Sequence, residues 1–202
     1  MLFRSPAATI EIGRLFMKLA VSLVLVVTLL SGCGSKNEPL DRAMELRKQI
    51  LSAENCTYQT VITADYEDVL YTFQMDCDVD NSGVLQFTVT DPESIQGITG
   101  RITDSQSSLT YDDKILAFPL LTEGELTPVS APWIFISTLR SGYLTGCSKE
   151  KDGYCLYIDD SYEEYPLNLT IYTDDTMLPT YAEIIWQSRR ILTLDIQNFT
   201  IR

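Results

Sequence analysis

Two hydrophobic periods divide the chain. Across residues 39–54, Leu40, Ala43, Met44, Leu46, Ile50 and Leu51 recur at spacings of three and four, and Pro39 and Asp41 stand where a helix begins. That spacing predicts one amphipathic helix. After it the period drops to two. Residues 56–63, 69–77, 84–90 and 95–103 alternate apolar and polar side chains and are rich in Val, Ile, Thr, Tyr and Phe, the signature of half-buried strands. Asn81-Ser82-Gly83 and Asp91-Pro92-Glu93-Ser94 supply turns between them. Residues 109–111 and 114–118 predict a further short pair about Asp112-Asp113. Pro119, Pro128 and Pro132 then break the ladder, because proline cannot donate to it. Residues 133–140, entered through Ala131-Pro132 and stopped at Ser141-Gly142, suit a short helix better than a strand. Strands resume at 143–147, 154–158, 167–172, 181–187 and 191–201. The expected fold class is α+β, mainly antiparallel β. No internal repeat or second-domain linker interrupts residues 39–202.

The amino terminus follows other rules. Leu19 to Leu30 is an apolar run of twelve residues, too short to span a bilayer as a helix and the right length for the hydrophobic region of an export signal. Arg4, Arg14 and Lys18 precede it as the positive region, and Met17-Lys18 alone would complete a compact signal, so either Met1 or Met17 can be the start. Leu30-Ser31-Gly32-Cys33 follows and resembles the lipobox of bacterial lipoproteins. The resemblance implies a signal peptide over 1–32, cleavage before Cys33, and a diacylglyceryl group on the Cys33 thiol. Two acyl chains meet the two-signal requirement for stable anchoring, at about 0.8 kcal/mol per buried CH₂. Residues 33–38 then serve as a lipidated tether, and the expected location is extracytoplasmic, attached to a bacterial membrane.

Charge narrows the partners. Removal of residues 1–32 leaves 12 basic against 27 acidic residues, a net charge of −15, which repels phosphate backbones and excludes nucleic acid as a partner. Nine of the acidic residues fall between Glu150 and Glu183 against the single cation Lys151. No stretch there has the order of a calcium loop, so a solvated acidic rim is expected and no metal or other cofactor. The chain has no histidine, which removes Ser-His-Asp and Cys-His catalysis and imidazole metal sites. The adjacent pair Glu163-Glu164 would point to opposite faces of a strand and has no nucleophile beside it. The reading is a protein that is not an enzyme.

With Cys33 lipidated, Cys56, Cys77, Cys147 and Cys155 remain, an even number in a potentially oxidising compartment, with three possible pairings. Folding the first strand pair about Tyr66-Glu67 sets Cys56 opposite Cys77. A hairpin centred on residue 151 sets Cys147 opposite Cys155. Directly opposed residues have α-carbons about 4.5 Å apart in non-hydrogen-bonded pairs, at the low end of disulfide geometry. Two structural disulfides, each within its own hairpin, are therefore expected. A redox pair or zinc site is the alternative, but no Cys-x-x-Cys is present.

The order of helix, long meander, helical interruption and more meander is similar to the LolA/LolB-like lipoprotein-carrier superfamily. The Pro132-Trp133-Ile134-Phe135-Ile136-Ser137-Thr138-Leu139 segment resembles it too, as do Leu178-Pro179 to Glu183 and Arg190 to Phe199 near the end. With a lipidated Cys33 the chain also resembles the LolA-like germination lipoproteins of spore-forming bacteria. The resemblance implies an unclosed half-barrel whose concave face is covered by the amino-terminal and inserted helices, and an arginine that holds the cover closed, for which Arg101 and Arg140 are candidates. In such a fold, Phe73, Phe87, Trp133, Phe135 and Ile136 would line an apolar groove suited to lipid or lipoprotein acyl chains, unless they are ordinary core. The alternative is a protein-binding lipoprotein that controls a cell-envelope or spore-germination enzyme through an exposed face. Eleven tyrosines favour an interface of that kind.

Overall fold

The computed structural model describes residues 38–118, 121–122, 125–161 and 166–202. The signal region, Cys33, most of the tether and Glu163-Glu164 lie outside the described residues. Helix α1 is Glu38–Ser52, with Glu38 and Asp41 in its first turn, where carboxylates complement the helix dipole. Its buried stripe is Ala43, Leu46 and Ile50. Helix α2 is Ala131–Ser141, with Pro132 in its first turn and Gly142 just past its end, as the sequence pattern predicts.

The strands are β1 (Asn55–Asp65), β2 (Leu70–Asp80), β3 (Leu85–Asp91), β4 (Thr99–Ile102), β5 (Ser107–Tyr111), β6 (Lys114–Ala117), β7 (Leu121–Thr122), β8 (Glu125–Leu126), β9 (Tyr143–Glu150), β10 (Gly153–Asp159), β11 (Leu167–Thr173), β12 (Pro179–Trp186) and β13 (Arg189–Ile201). Eleven of them form one antiparallel sheet in the order β6-β5-β4-β3-β2-β1-β13-β12-β11-β10-β9, and β7 pairs with β8 alone. The sheet is thus two meanders joined where β1 pairs with β13. Its two open edges, β6 and β9, are consecutive in the large sheet's chain order, and the segment linking them carries α2. The result is an α+β open half-barrel, as expected. One expected strand is shorter: of residues 95–103 the strand itself is Thr99–Ile102, preceded by Gly97 and Ile98 bonded to Val89 through their backbones, because Glu93–Ile95 closes into a 3₁₀ turn after Pro92.

Strict alternation sorts each strand into two faces. β1 reads inward at Cys56, Tyr58, Thr60, Ile62 and Ala64, and outward at the residues between. The inward residues of β1 to β4 and β10 to β13 join those of α1 and α2 in one buried cluster. α2 packs on β10, β12 and β13, while α1 packs on β9 and α2. The α1–α2 contact is polar as well as apolar. The Arg47 Nε donates to the Leu139 carbonyl at 2.8 Å, placing a cation where α2 leaves its last carbonyls unpaired.

Candidate functional site

The concave face is where the sequence pattern places a ligand groove, and in the structure that face is packed. Phe73, Phe87, Phe135 and Ile136 are all buried members of the core cluster, and Trp133 is half-buried against it. One of the candidates, Phe135, belongs to an aromatic centre formed with Tyr58 and Phe199. Tyr58 on β1 meets Phe135 edge-on at 5.6 Å and stacks on Phe199 at 5.5 Å between ring centroids. Its hydroxyl donates to the Pro132 carbonyl at 2.8 Å, tying β1 to the first turn of α2. Burial pushes the Tyr58 hydroxyl well above the usual tyrosine range, with the neighbouring Cys77 and Cys56 adding to it, so it serves as a donor and stays neutral. Two polar atoms on this side have no partner: Thr60 Oγ1, on a residue only 1% exposed, and Trp133 Nε1.

The cysteines stand differently from expectation, and the reason is register. β1 and β2 pair so that Cys56 faces Val79 and Tyr58 faces Cys77, two residues away from the expected alignment. Cys56 and Cys77 are therefore diagonal neighbours rather than directly opposed residues. In the second hairpin Cys147 faces Leu156 and Cys155 faces Ser148. A one-residue offset sends the two side chains to opposite faces. No disulfide joins the four in this structure. Burial raises the pKa of each, that of Cys147 to about 11, so none is an activated nucleophile.

Cys155 lies on the outer face beneath Tyr157 and Tyr172, and the Tyr172 ring reaches that of Tyr181 at 5.7 Å. This tyrosine patch crosses β10, β11 and β12. A groove of about 660 Å³ occupies the other half of the same outer face, lined by Thr57, Gln59, Asp76, Gln86, Arg101 and Asn198 among others. Its side chains already bind one another: Gln59 Nε2 donates to Asp76 Oδ1 at 2.9 Å and Asn198 Nδ2 donates to Gln59 Oε1 at 2.8 Å. Arg101 belongs to this outer face and cannot latch a helix on the inner one. Arg140 can: its Nη2 donates to the Asn81 carbonyl in the β2–β3 turn at 2.9 Å.

The acidic stretch is only partly a solvated rim. Asp174 Oδ1 accepts from the backbone of Thr176 and Leu178 and from the Thr176 hydroxyl, and Asp80 does the same with Ser82 and Val84. These carboxylates build turns. For Asp80 the hydrogen bonds and Arg101 outweigh the opposing desolvation and hold its pKa below the usual carboxylate range. Among the described residues no three cysteine, aspartate or glutamate side chains converge as a metal site, and no helix is long and apolar enough to cross a membrane.

Compared by sequence, the chain matches no family model and no curated protein. Compared by structure, it is similar to a LolA superfamily protein from Nitrosomonas europaea, at 10% identity over 79% of this chain and 93% of that one, with a TM-score of 0.46. It is also similar to the lipoprotein LppX of Mycobacterium tuberculosis (13% identity, 82% and 96% covered, TM-score 0.40). A chain of the Pseudomonas aeruginosa MucA/MucB complex matches at 15% identity, 80% and 57% covered, with a TM-score of 0.38.

Proposed function

We propose that this protein is an extracytoplasmic lipoprotein, held to a membrane by acyl chains on Cys33, whose half-barrel binds an envelope protein through its outside and performs no catalysis. The observation that carries this reading is the closure of the concave side. The side chains that would line a ligand groove are spent on α2 and on one another, with Phe135 and Ile136 fully buried. Recognition then falls to the surface, where Tyr157 and Tyr172 stand exposed on adjacent strands and Ile115 and Leu116 on an open edge. Aromatic side chains are enriched at protein interfaces. The lipidated cysteine would keep such a surface within reach of envelope partners, and the net charge of −15 left after signal removal favours basic ones.

A second reading keeps the apolar ligand: acyl chains enter beneath α2 when it lifts. It is favoured by Thr60 Oγ1 and Trp133 Nε1, buried polar atoms without partners that a guest could satisfy. One experiment separates the two. The protein is purified from native membranes, extracted under denaturing conditions for lipid mass spectrometry, and tested in parallel for a stoichiometric protein partner. A partner without co-purified acyl ligand supports the first reading, and the reverse result replaces it with the second. A Cys33→Ser variant that still partitions with membranes would remove the anchor from both.

A further inference from the structure

The two edges of the large sheet are not protected alike. Edge strand β9 carries Lys149 and Glu150, is kinked by a bulge opposite Tyr157/Ile158, and has α1 packed on it. Charge, bulges and a covering helix are the devices that stop an edge from pairing with another chain. Edge strand β6, Lys114–Ala117, has only Lys114 at one end. Its Ile115 is 73% exposed and its Leu116 is 62% exposed, and as neighbours in a strand they point to opposite faces.

The backbone of β6 is as open as its side chains. Asp112 and Asp113, with φ of 50° and 59°, form the two-residue turn between β5 and β6. Tyr111 and Lys114 flank it as the first, hydrogen-bonded pair of the ladder, with Leu109 and Leu116 the next hydrogen-bonded pair. By that alternation the N–H and C=O groups of Ile115 and Ala117 point away from β5. An alternating row of donors and acceptors at strand spacing is matched by one kind of occupant, an extended polypeptide.

Charge argues what that polypeptide is. A second copy of the chain would bring a net charge of −13 or below to the contact, and that like charge opposes it. Deepening the proposed function, and resting on it, we infer that β6 is the docking edge for a partner protein, which adds an extended segment bearing two adjacent apolar residues with a basic residue beside the Asp112-Asp113 turn. The added strand covers Ile115 and Leu116 from both faces and completes the backbone bonds of Ile115 and Ala117.

The test uses the full-length protein in detergent and a capped heptapeptide, Lys-Thr-Thr-Val-Val-Thr-Lys, as the probe, its adjacent valines facing opposite sides of the strand, read by residue-resolved hydrogen exchange. At a peptide concentration about ten times its Kd, exchange of the Ile115 and Ala117 amides slows about tenfold. A peptide N-methylated at alternate residues gives no protection on the same protein, so the result does not depend on any variant folding. Ile115→Pro, which removes an outward N–H and no β5 bond, also abolishes the protection. Unchanged exchange at both amides overturns the inference, as does protection that grows with protein concentration in the absence of peptide, the mark of a second copy. If a stoichiometric partner co-purifies while the peptide leaves β6 unprotected, the edge is wrong and the protein-binding reading survives. Protection by the peptide while only acyl lipid co-purifies supports the edge as a strand acceptor and overturns that reading.

Discussion

Gly100 on β4 lies directly opposite Phe87 on β3, and the Phe87 ring folds over it so closely that a methyl group on Gly100 would overlap the ring. The missing side chain is what allows Phe87 to lie flat against the inner face and be buried in the core.

Gly100→Ala is accordingly expected to destabilise the fold by about 1–3 kcal/mol, the usual range for forcing extra volume into a packed site. Elsewhere in a strand the same substitution would stabilise by about 0.5–1 kcal/mol. Urea unfolding of the variant decides the sign. A Phe87→Leu, Gly100→Ala double variant that recovers part of the loss would identify the ring as the obstacle.

The secondary structure was readable in the sequence because each element carries its own period: β1 alternates without a break from Asn55 to Ala64, and α1 buries every third or fourth residue. Register was not readable, because it depends on where a turn closes. Tyr66 N–H donates to the Val69 carbonyl at 3.1 Å, so the first hairpin turns over four residues and pairs Asp65 with Leu70. In the second hairpin Gly153 looks like a turn residue but is the first residue of β10, paired with Glu150. Whether the concave side holds a groove was equally hidden, since it depends on how far α2 descends onto residues distant in sequence.

Gly153 has φ of 156° and faces the Thr173 carbonyl so closely that a Cβ would collide with it. A strand glycine of this kind marks a close approach of two backbones. Gly153→Ala should push β10 and β11 apart locally. The expected outcome is faster hydrogen exchange at the Tyr154 and Thr173 end of the ladder and a lower unfolding midpoint, and unchanged exchange there would refute the close approach.

The cysteines give a count and a pH dependence. Unfolded, the chain should present Cys56, Cys77, Cys147 and Cys155 to Ellman's reagent without reductant, and a fifth thiol would count against the proposed lipid on Cys33. Folded, Cys147 should react before the three buried ones. Its pKa is raised from 9.0 to about 11, first by desolvation and then by Cys155. The folded state therefore holds the proton more tightly than the unfolded one, and the stabilisation is complete below about pH 9 and lost as the pH rises through about 11. Cys56, Cys77 and Cys155 shift the same way. Chemical denaturation between pH 8 and 11 should show stability falling, with the Cys147→Ala variant falling less.

Trp133 offers a test of packing against polarity. Its indole N–H is buried without an acceptor, and leaving such a donor unmatched costs about 1–3 kcal/mol. Trp133→Phe removes that donor while keeping most of the ring. Its net effect is expected to stay within about 1 kcal/mol of neutral, because the lost area and the relieved donor oppose each other. A loss of about 3 kcal/mol or more in thermal or urea unfolding would mean that the N–H has a partner, such as a buried water, that contributes to the fold.

The carboxyl end of α2 is held from two sides, and the two holds are separable. Arg47 reaches it from α1, paired to the Leu139 carbonyl, and desolvation lowers the pKa of that arginine. Arg140 reaches out from it to the Asn81 carbonyl, with its guanidinium against Gly83. The Arg140 contact is exposed, so Arg140→Ala is expected to cost about 1 kcal/mol. If α2 is a fixed part of the core, that loss appears as a small drop in global stability and leaves the helix amides no easier to exchange than the β1 amides. If α2 lifts as a unit to admit an acyl chain, Arg140→Ala should speed exchange at Ile136 and Leu139 about fivefold while β1 is unaffected, because the lost contact belongs to the closed state alone. The packed Phe135 and Ile136 and the Tyr58–Pro132 bond at the other end of the helix make the first outcome the expected one.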